Sequence, residues 1–385
     1  MSPIRTSSVI ATSLLLAACG WGGDDDPLPP GPFDRRVEAA DVSILYPLTA
    51  TTAIGDLIAA SDVGAYGPLA PEMLPGHRLP TPDDSNLGST YADLHLVAMR
   101  LDPCSARATC SPEVRLIFQP VVIEDGKTVA ADAALHVFYD VPEPELVRFL
   151  VEILVLKKAY RADIDYGATL GVQPILAATG LGGGFAVELE HALLRHLGAT
   201  RIQRVTSMSH ENFKNDVWTF SMIERRGDQF SEMTIVDTQL TTQSANGTSA
   251  LVDDIGGLFW GEPTPSLPKL SALAASPRPE VPTADIAAGF AQAIAAQDPS
   301  RHNSEDTDCV SCHVAEGARR AGLEEYGMTP SGDFTSTRSL AYRRDGKALT
   351  NVHAFSYLGN QVSVMRRVAN ESAVVADWFQ AELTE

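Results

Sequence analysis

"VRLIFQPVVIEDGKTVAADAALHVFYDV", residues Val114–Val141, carries the main clue to architecture. Two apolar runs, Val114–Ile123 and Ala134–Val141, flank the tetrapeptide Glu124-Asp125-Gly126-Lys127. Both runs are rich in β-branched and aromatic residues, and an Asp-Gly pair between such runs predicts a hairpin. The second run nevertheless opens some residues beyond the turn. Pro120 offers no backbone N–H, so it predicts an edge or a bulge in the first strand. Upstream, "LHLVAMRL" (Leu94–Leu101) is apolar at nearly every position, as in a strand buried on both faces. Downstream, Leu146, Phe149, Leu150, Ile153 and Leu154 recur at helical spacing and predict a helix from about Pro144 to Tyr160. A second helix is predicted from Gly184 to Leu197. Strands follow at Ile202–Met208, Val217–Glu224 and Glu232–Leu240, with Gly227-Asp228 turning between the last two. Strands that cluster instead of alternating strictly with helices give an α+β class.

The chain changes character at "EPTPSLPKLSALAASPRPEVPT" (Glu262–Thr283), which holds Pro263, Pro265, Pro268, Pro277, Pro279 and Pro282. No continuous helix or central strand tolerates that density. It divides a mixed strand/helix domain, residues 37–261, from a mainly α domain, residues 284–385. In the latter, Ala284–Gln297 and Glu371–Leu383 show helical periodicity. The 385 residues carry 49 acidic and 29 basic side chains, a formal charge of −20. Such a polyanion repels phosphate backbones, so nucleic acid is excluded as a partner. A basic protein partner would be steered towards it.

The amino terminus reads as an export signal. Arg5 precedes an apolar stretch, Val9–Ala18, too short for a permanent membrane helix. It ends in Leu16-Ala17-Ala18-Cys19, which resembles the lipobox of bacterial lipoproteins. The resemblance implies cleavage of the signal peptide, residues 1–18, and acylation of Cys19. It also implies attachment to the membrane by lipid alone, facing the periplasm. Gly20, where inner-membrane lipoproteins carry aspartate, suggests the outer membrane. Residues 19–36, with "GWGGDDDPLPPGP", form the tether.

Export places the remaining cysteines where pairs oxidise unless something captures them. Cys104 and Cys110 in "DPCSARATC" are expected to form a small disulfide loop. Cys309 and Cys312 stand in "DTDCVSCHVAE" (Asp306–Glu316), followed at once by His313. Cys-x-x-Cys-His is the attachment pattern for c-type haem. On a helix, positions i, i+3 and i+4 share a face, so both sulfurs can meet the porphyrin's vinyl groups while the imidazole turns to the iron. Thr307 or Asp308 would cap that helix. Zinc, a thioredoxin-like dithiol and a plain disulfide are the competing readings. Zinc lacks a second ligand pair nearby, and the dithiol lacks a βαβ context.

The order helix, Cys-x-x-Cys-His, loops, closing helix resembles a class I cytochrome c over the last hundred or so residues. That resemblance implies one covalent haem c, His313 as proximal iron ligand and one-electron transfer with a redox partner protein. The sixth ligand is open: Met365, before the last helix, is the first candidate, His353 an alternative and Met328 a weaker one. Two other functions compete, a haem peroxidase or gas sensor with an open iron site, and a non-redox binding lipoprotein that recognises a partner through residues 37–261. "GLGGG" (Gly180–Gly184) lacks the rest of a nucleotide-binding pattern, and His191 with His196 falls outside H-E-x-x-H.

Overall fold

The computed structural model describes residues 36–63, 93–104, 110–160, 164–212, 217–236, 238–247, 258–260, 270, 283–302, 306–336, 338, 340–342 and 351–384. The signal peptide, Cys19, nearly all of the tether and most of the Pro-rich segment lie outside the described residues. Asp125 and Gly126 adopt φ of 49° and 72°, the left-handed pair that a two-residue hairpin demands. They join β3 (Glu113–Glu124) to β4 (Lys127–Ala130). The return strand of the hairpin is therefore β4, and the apolar run beyond it is a separate strand, β5 (Ala133–Asp140). β3 serves both. Its first half, Glu113–Phe118, pairs with β5, and Val121–Glu124 pairs with β4. Pro120 sits where the partner changes, and its carbonyl accepts from Ala131 N–H at 2.8 Å.

Ten strands form one antiparallel sheet, among the described residues. Its order is β1 (Ser43–Leu45), β2 (Leu94–Asp102), β3, β5, β7 (Ile202–Asn212), β8 (Val217–Arg226), β10 (Thr242–Gly247) and β11 (Leu258–Trp260). β4 pairs with β3, and β9 (Gln229–Glu232) pairs with β8 across the Gly227-Asp228 turn. The strand expected over 232–240 does not form. Ile235 N–H donates to the Leu240 carbonyl and the Thr238 hydroxyl donates to Ile235 O, so a local turn takes the groups a ladder would need. A two-residue parallel pair, β6 (Thr169–Leu170) with β12 (Ala341–Tyr342), and a hairpin of β13 (Phe355–Leu358) and β14 (Gln361–Val364) complete the strands.

Seven helices are described: α1 (Ala39–Val42), α2 (Glu143–Tyr160), α3 (Pro174–Thr179), α4 (Gly184–His196), α5 (Thr283–Ala296), α6 (Cys309–Glu324) and α7 (Arg366–Glu382). None is long and apolar enough to cross a membrane. The fold class is thus mixed α and β, built on a large antiparallel sheet.

Residues 32–385 make one compact unit. A single buried cluster joins Ile117, Ala134 and Phe220 of the sheet to Phe290 of α5, Val310 and Val314 of α6, Tyr357 of β13 and Val368 of α7. The expected boundary at 262–283 therefore does not separate two cores. Each of these helices has an apolar stripe to bury, and the sheet serves as the second layer. The first and last described segments also meet. Val37 N–H donates to Gln380 Oε1 at 3.1 Å, and the buried hydroxyls of Ser43 and Ser372 lie 2.6 Å apart.

α5 and α6 cross closely at Gly322, where an added Cβ would lie on the ring of Phe290. Gly322→Ala gains about 1 kcal/mol in helix propensity but overpacks the crossing by about 1–3 kcal/mol. A net loss of about 1 kcal/mol is expected in urea unfolding, largely recovered by Phe290→Leu. A Gly322→Ala protein more stable than the parent would show that the crossing is loose.

Candidate functional site

Strand register puts three ranks of side chains on one face of the sheet, because residues directly opposite each other in an antiparallel pair share a face. The first rank holds Ala134, Met208, Phe220 and Gln243. The second holds Ala98, Ile117, His136, Thr206 and Met222. The third holds Arg100, Arg115, Phe138, Arg204 and Glu224. The opposite face is different: Met99, Leu116, Val137, Val205 and Ile223 lie in one rank, each fully buried. Within these ranks, charge and imidazole lie on one side of the sheet.

The Cys-x-x-Cys-His helix rests on that side. Asp308 caps α6, its carboxylate accepting from Ser311 N–H at 3.0 Å. Gln243 of β10 fixes the same turn, donating from Nε2 to Asp308 Oδ2 at 2.8 Å and accepting from Val310 N–H at 3.3 Å. Cys309 and Cys312 occupy the first turn, unbonded to each other. Burial pushes both thiols up, helped by Asp308 at Cys309. A dithiol catalyst needs the opposite shift, because the thiolate is the nucleophile. Yet Cys309, Cys312 and His313 keep part of their surface accessible.

His313 points between the helix and the sheet. Its ring lies 5.0 Å from that of Phe220 and 6.5 Å from that of His136, centre to centre. Its Nδ1 is 2.6 Å from the Val352 carbonyl oxygen. A carbonyl only accepts, so Nδ1 carries the proton and Nε2 presents a lone pair. Backbone carbonyls orient metal-binding histidines in this way. Burial lowers the His313 pKa to about 4, against the smaller opposing effect of the Val352 hydrogen bond, so the ring is neutral at pH 7.

Beside it lies a cationic wall. The Arg115 and Arg204 guanidiniums stack on the Phe138 ring at 4.6 and 4.1 Å and share Glu113, at 3.0 and 3.3 Å. Arg100 and Arg367 share Glu371 of α7, at 2.9 and 2.7 Å. Four guanidiniums thus converge on two carboxylates. A third acid, Asp102, has its carboxyl pushed up by burial and by the Glu113 charge. Arg115 Nε and Arg367 Nη2 are buried with no hydrogen-bond partner among the described residues. Arg367 and Arg115 both act electrostatically on Cys312 and His313. The wall is therefore suited to receive an anionic group next to the motif.

The other residues singled out in the sequence fall as follows. His353 is buried, with Nε2 2.7 Å from Asp132 Oδ1 and Nδ1 2.9 Å from Ser356 Oγ, so both ring nitrogens are engaged. Asp132 Oδ2 also accepts from Trp218 Nε1 at 3.1 Å, which ties the C-terminal hairpin to the sheet. Met365 is buried at the joint between β14 and α7, its N–H donating to the Ala354 carbonyl. Met328 packs at the margin of the core. Cys104 and Cys110 are bonded, with Cα atoms 5.7 Å apart.

His136 and the four arginines escaped the motif search. For His136, Arg115 and Arg100 the signal was a polar side chain within an apolar strand, as in "ALHVFYDV", "VRLIF" and "AMRL"; Arg367, on α7, had no such signal. Among the described residues, no group of three or more His, Cys, Asp or Glu side chains converges to hold a bare metal ion. A structural zinc site would need four ligands. No protein-family model, curated protein or solved structure matches this chain.

Proposed function

We propose that the chain is a lipid-anchored, periplasm-facing c-type cytochrome that carries one covalent haem and transfers single electrons. Thioethers to Cys309 and Cys312 would hold the group, with His313 as proximal ligand. The observation that carries this reading is the state of His313. It is neutral, with Nδ1–H fixed on Val352 O and Nε2 bare, on the same first turns as two unbonded thiols. When bound, haem supplies a one-electron iron couple. The chain's own residues do the rest. Asp308 and Gln243 hold the thiol-bearing turn in place, and Phe220 shields one side of the imidazole. Arg115 and Arg367 offer unused donors of the kind that haem carboxylates accept.

In this reading the resemblance to class I cytochrome c rests on the order of sequence features alone, and the large sheet would form part of the haem's surroundings. Cys19 would anchor the protein by lipid alone, most simply to the outer membrane, and the acidic surface would dock a basic redox partner.

Expression in a host with c-type haem maturation tests the proposal. The wild-type chain is expected to stain for haem on a denaturing gel and to carry the added mass of one porphyrin. Cys309→Ala/Cys312→Ala should lose the stain entirely. A colourless wild-type chain from such a host would leave a binding lipoprotein as the surviving reading.

A further inference from the structure

The antiparallel sheet brings a second imidazole beside His313. His136 lies on β5, near the middle of the sheet, in the rank that also holds Ile117, Thr206 and Met222. Its ring centre is 6.5 Å from that of His313, with the planes inclined by 37°. That separation is too long for a hydrogen bond between the rings and longer than a close stack. It fits a shared metal. Imidazole nitrogens bind transition metals at about 2 Å, and the ring centre lies about 1 Å further out, so two ligands on opposite sides stand about 6 Å apart.

The chemistry of the two rings agrees. His313 has Nδ1 fixed on a carbonyl and Nε2 bare. His136 is half-buried, and neither ring nitrogen has a hydrogen-bond partner among the described residues. Both nitrogens of the pair's second ring are therefore open to a ligand. The alternatives fare worse. His353 would have to give up Asp132 or Ser356, and Met365 is buried at the joint between β14 and α7.

We infer that His136 is the sixth ligand, so that the iron is held between β5 of the sheet and α6 by two histidines. The inference rests on the haem reading above. It places the group between sheet and helix and makes the sheet a functional part of the cytochrome. A filled sixth position suits electron transfer better than peroxidase or gas-sensing chemistry. Two histidines also set a lower reduction potential than a histidine–methionine pair.

The full-length holoprotein is the material for the test, with wild type, His136→Ala, His136→Met, Met365→Leu and His353→Gln compared by electron paramagnetic resonance and visible spectroscopy. Wild type should be low-spin ferric. His136→Ala should lose the low-spin signal, become high-spin while still staining for haem, bind cyanide readily, and recover the low-spin signal with added imidazole. His136→Met should stay six-coordinate with a raised potential; this variant decides the matter if His136→Ala fails to accumulate. Met365→Leu and His353→Gln should remain low-spin. A stained His136→Ala protein that stays low-spin without imidazole overturns the inference alone, and so does loss of the low-spin signal in Met365→Leu. A wild type without haem overturns the parent reading as well.

Discussion

Lys157→Met should destabilise the protein by about 3–5 kcal/mol, because it removes one partner of a fully buried ion pair. Lys157 on α2 and Asp41 on α1 have no exposed side-chain surface, and Nζ donates to Asp41 Oδ2 at 2.6 Å. Nζ also donates to the Arg36 carbonyl at 2.8 Å and lies 4.5 Å from the centre of the Tyr166 ring. Asp41 has little else among the described residues: it accepts from Glu38 N–H, and its Oδ1 is buried with no partner there. Burial already pushes the Asp41 carboxyl up, with Lys157 the main opposing influence. Without the ammonium, Asp41 must stay charged in the interior or take up a proton. The penalty should therefore shrink as the pH falls towards 4, where a protonated Asp41 is no longer a buried charge. Asp41→Asn in the Lys157→Met background should recover much of the loss at pH 7. Urea unfolding at pH 7 and pH 4.5 reads both effects. A loss under about 1 kcal/mol at pH 7, the range of an exposed pair, would mean that water reaches this one.

The second large effect is at Glu371. Burial alone would raise its carboxyl, but Arg367, Arg100 and Arg115 outweigh burial and hold it at about 2, against an ordinary value of 4.5. A depressed carboxyl stabilises the folded state above its unfolded pKa, and that stability is lost as pH falls through the folded value. The shift corresponds to roughly 3 kcal/mol, present above about pH 4.5 and gone near pH 2. Glu371→Gln should lose a comparable amount at neutral pH and then show a flatter acid-unfolding profile, so that the two proteins converge near pH 2. Parallel profiles would mean that Arg367, Arg100 and Arg115 find other partners. Because Arg367 and Arg100 converge on Glu371, the variant should also disturb the wall beside Cys312.

The local chemistry of the site was legible in sequence. Asp308 caps the helix that opens at Cys309, as its place before the motif implies, and Asp125-Gly126 makes its turn. Helices over 143–160, 184–196 and 283–296 follow the apolar periodicity to within a residue or two. What the sequence could not reveal was long-range pairing. The Asp-Gly turn returns through the short β4, which reads as a loop because Lys127–Ala130 is too brief and polar to stand out. The Pro-rich segment reads as a boundary because proline density reports local backbone stiffness, and nothing in it reports that helices beyond it lie on the sheet before it. His136 was hidden for the same reason. A histidine in an apolar strand gains meaning only when a second imidazole, far along the chain, is placed opposite it. Met365 is a candidate by its place before the last helix, which is legible locally, whereas the nearness of His136 to His313 depends on the register across β3, β5 and β7.

The meeting of these distant segments sets a schedule for biogenesis. The seat of the earliest described residues is built partly from α7, through Gln380 and Ser372. The segment around Val37 and Ser43 therefore cannot settle fully until α7 has been synthesised. Any prematurely terminated product lacking α7 would expose the arginine-lined side of the sheet to water, a ready target for quality-control proteases.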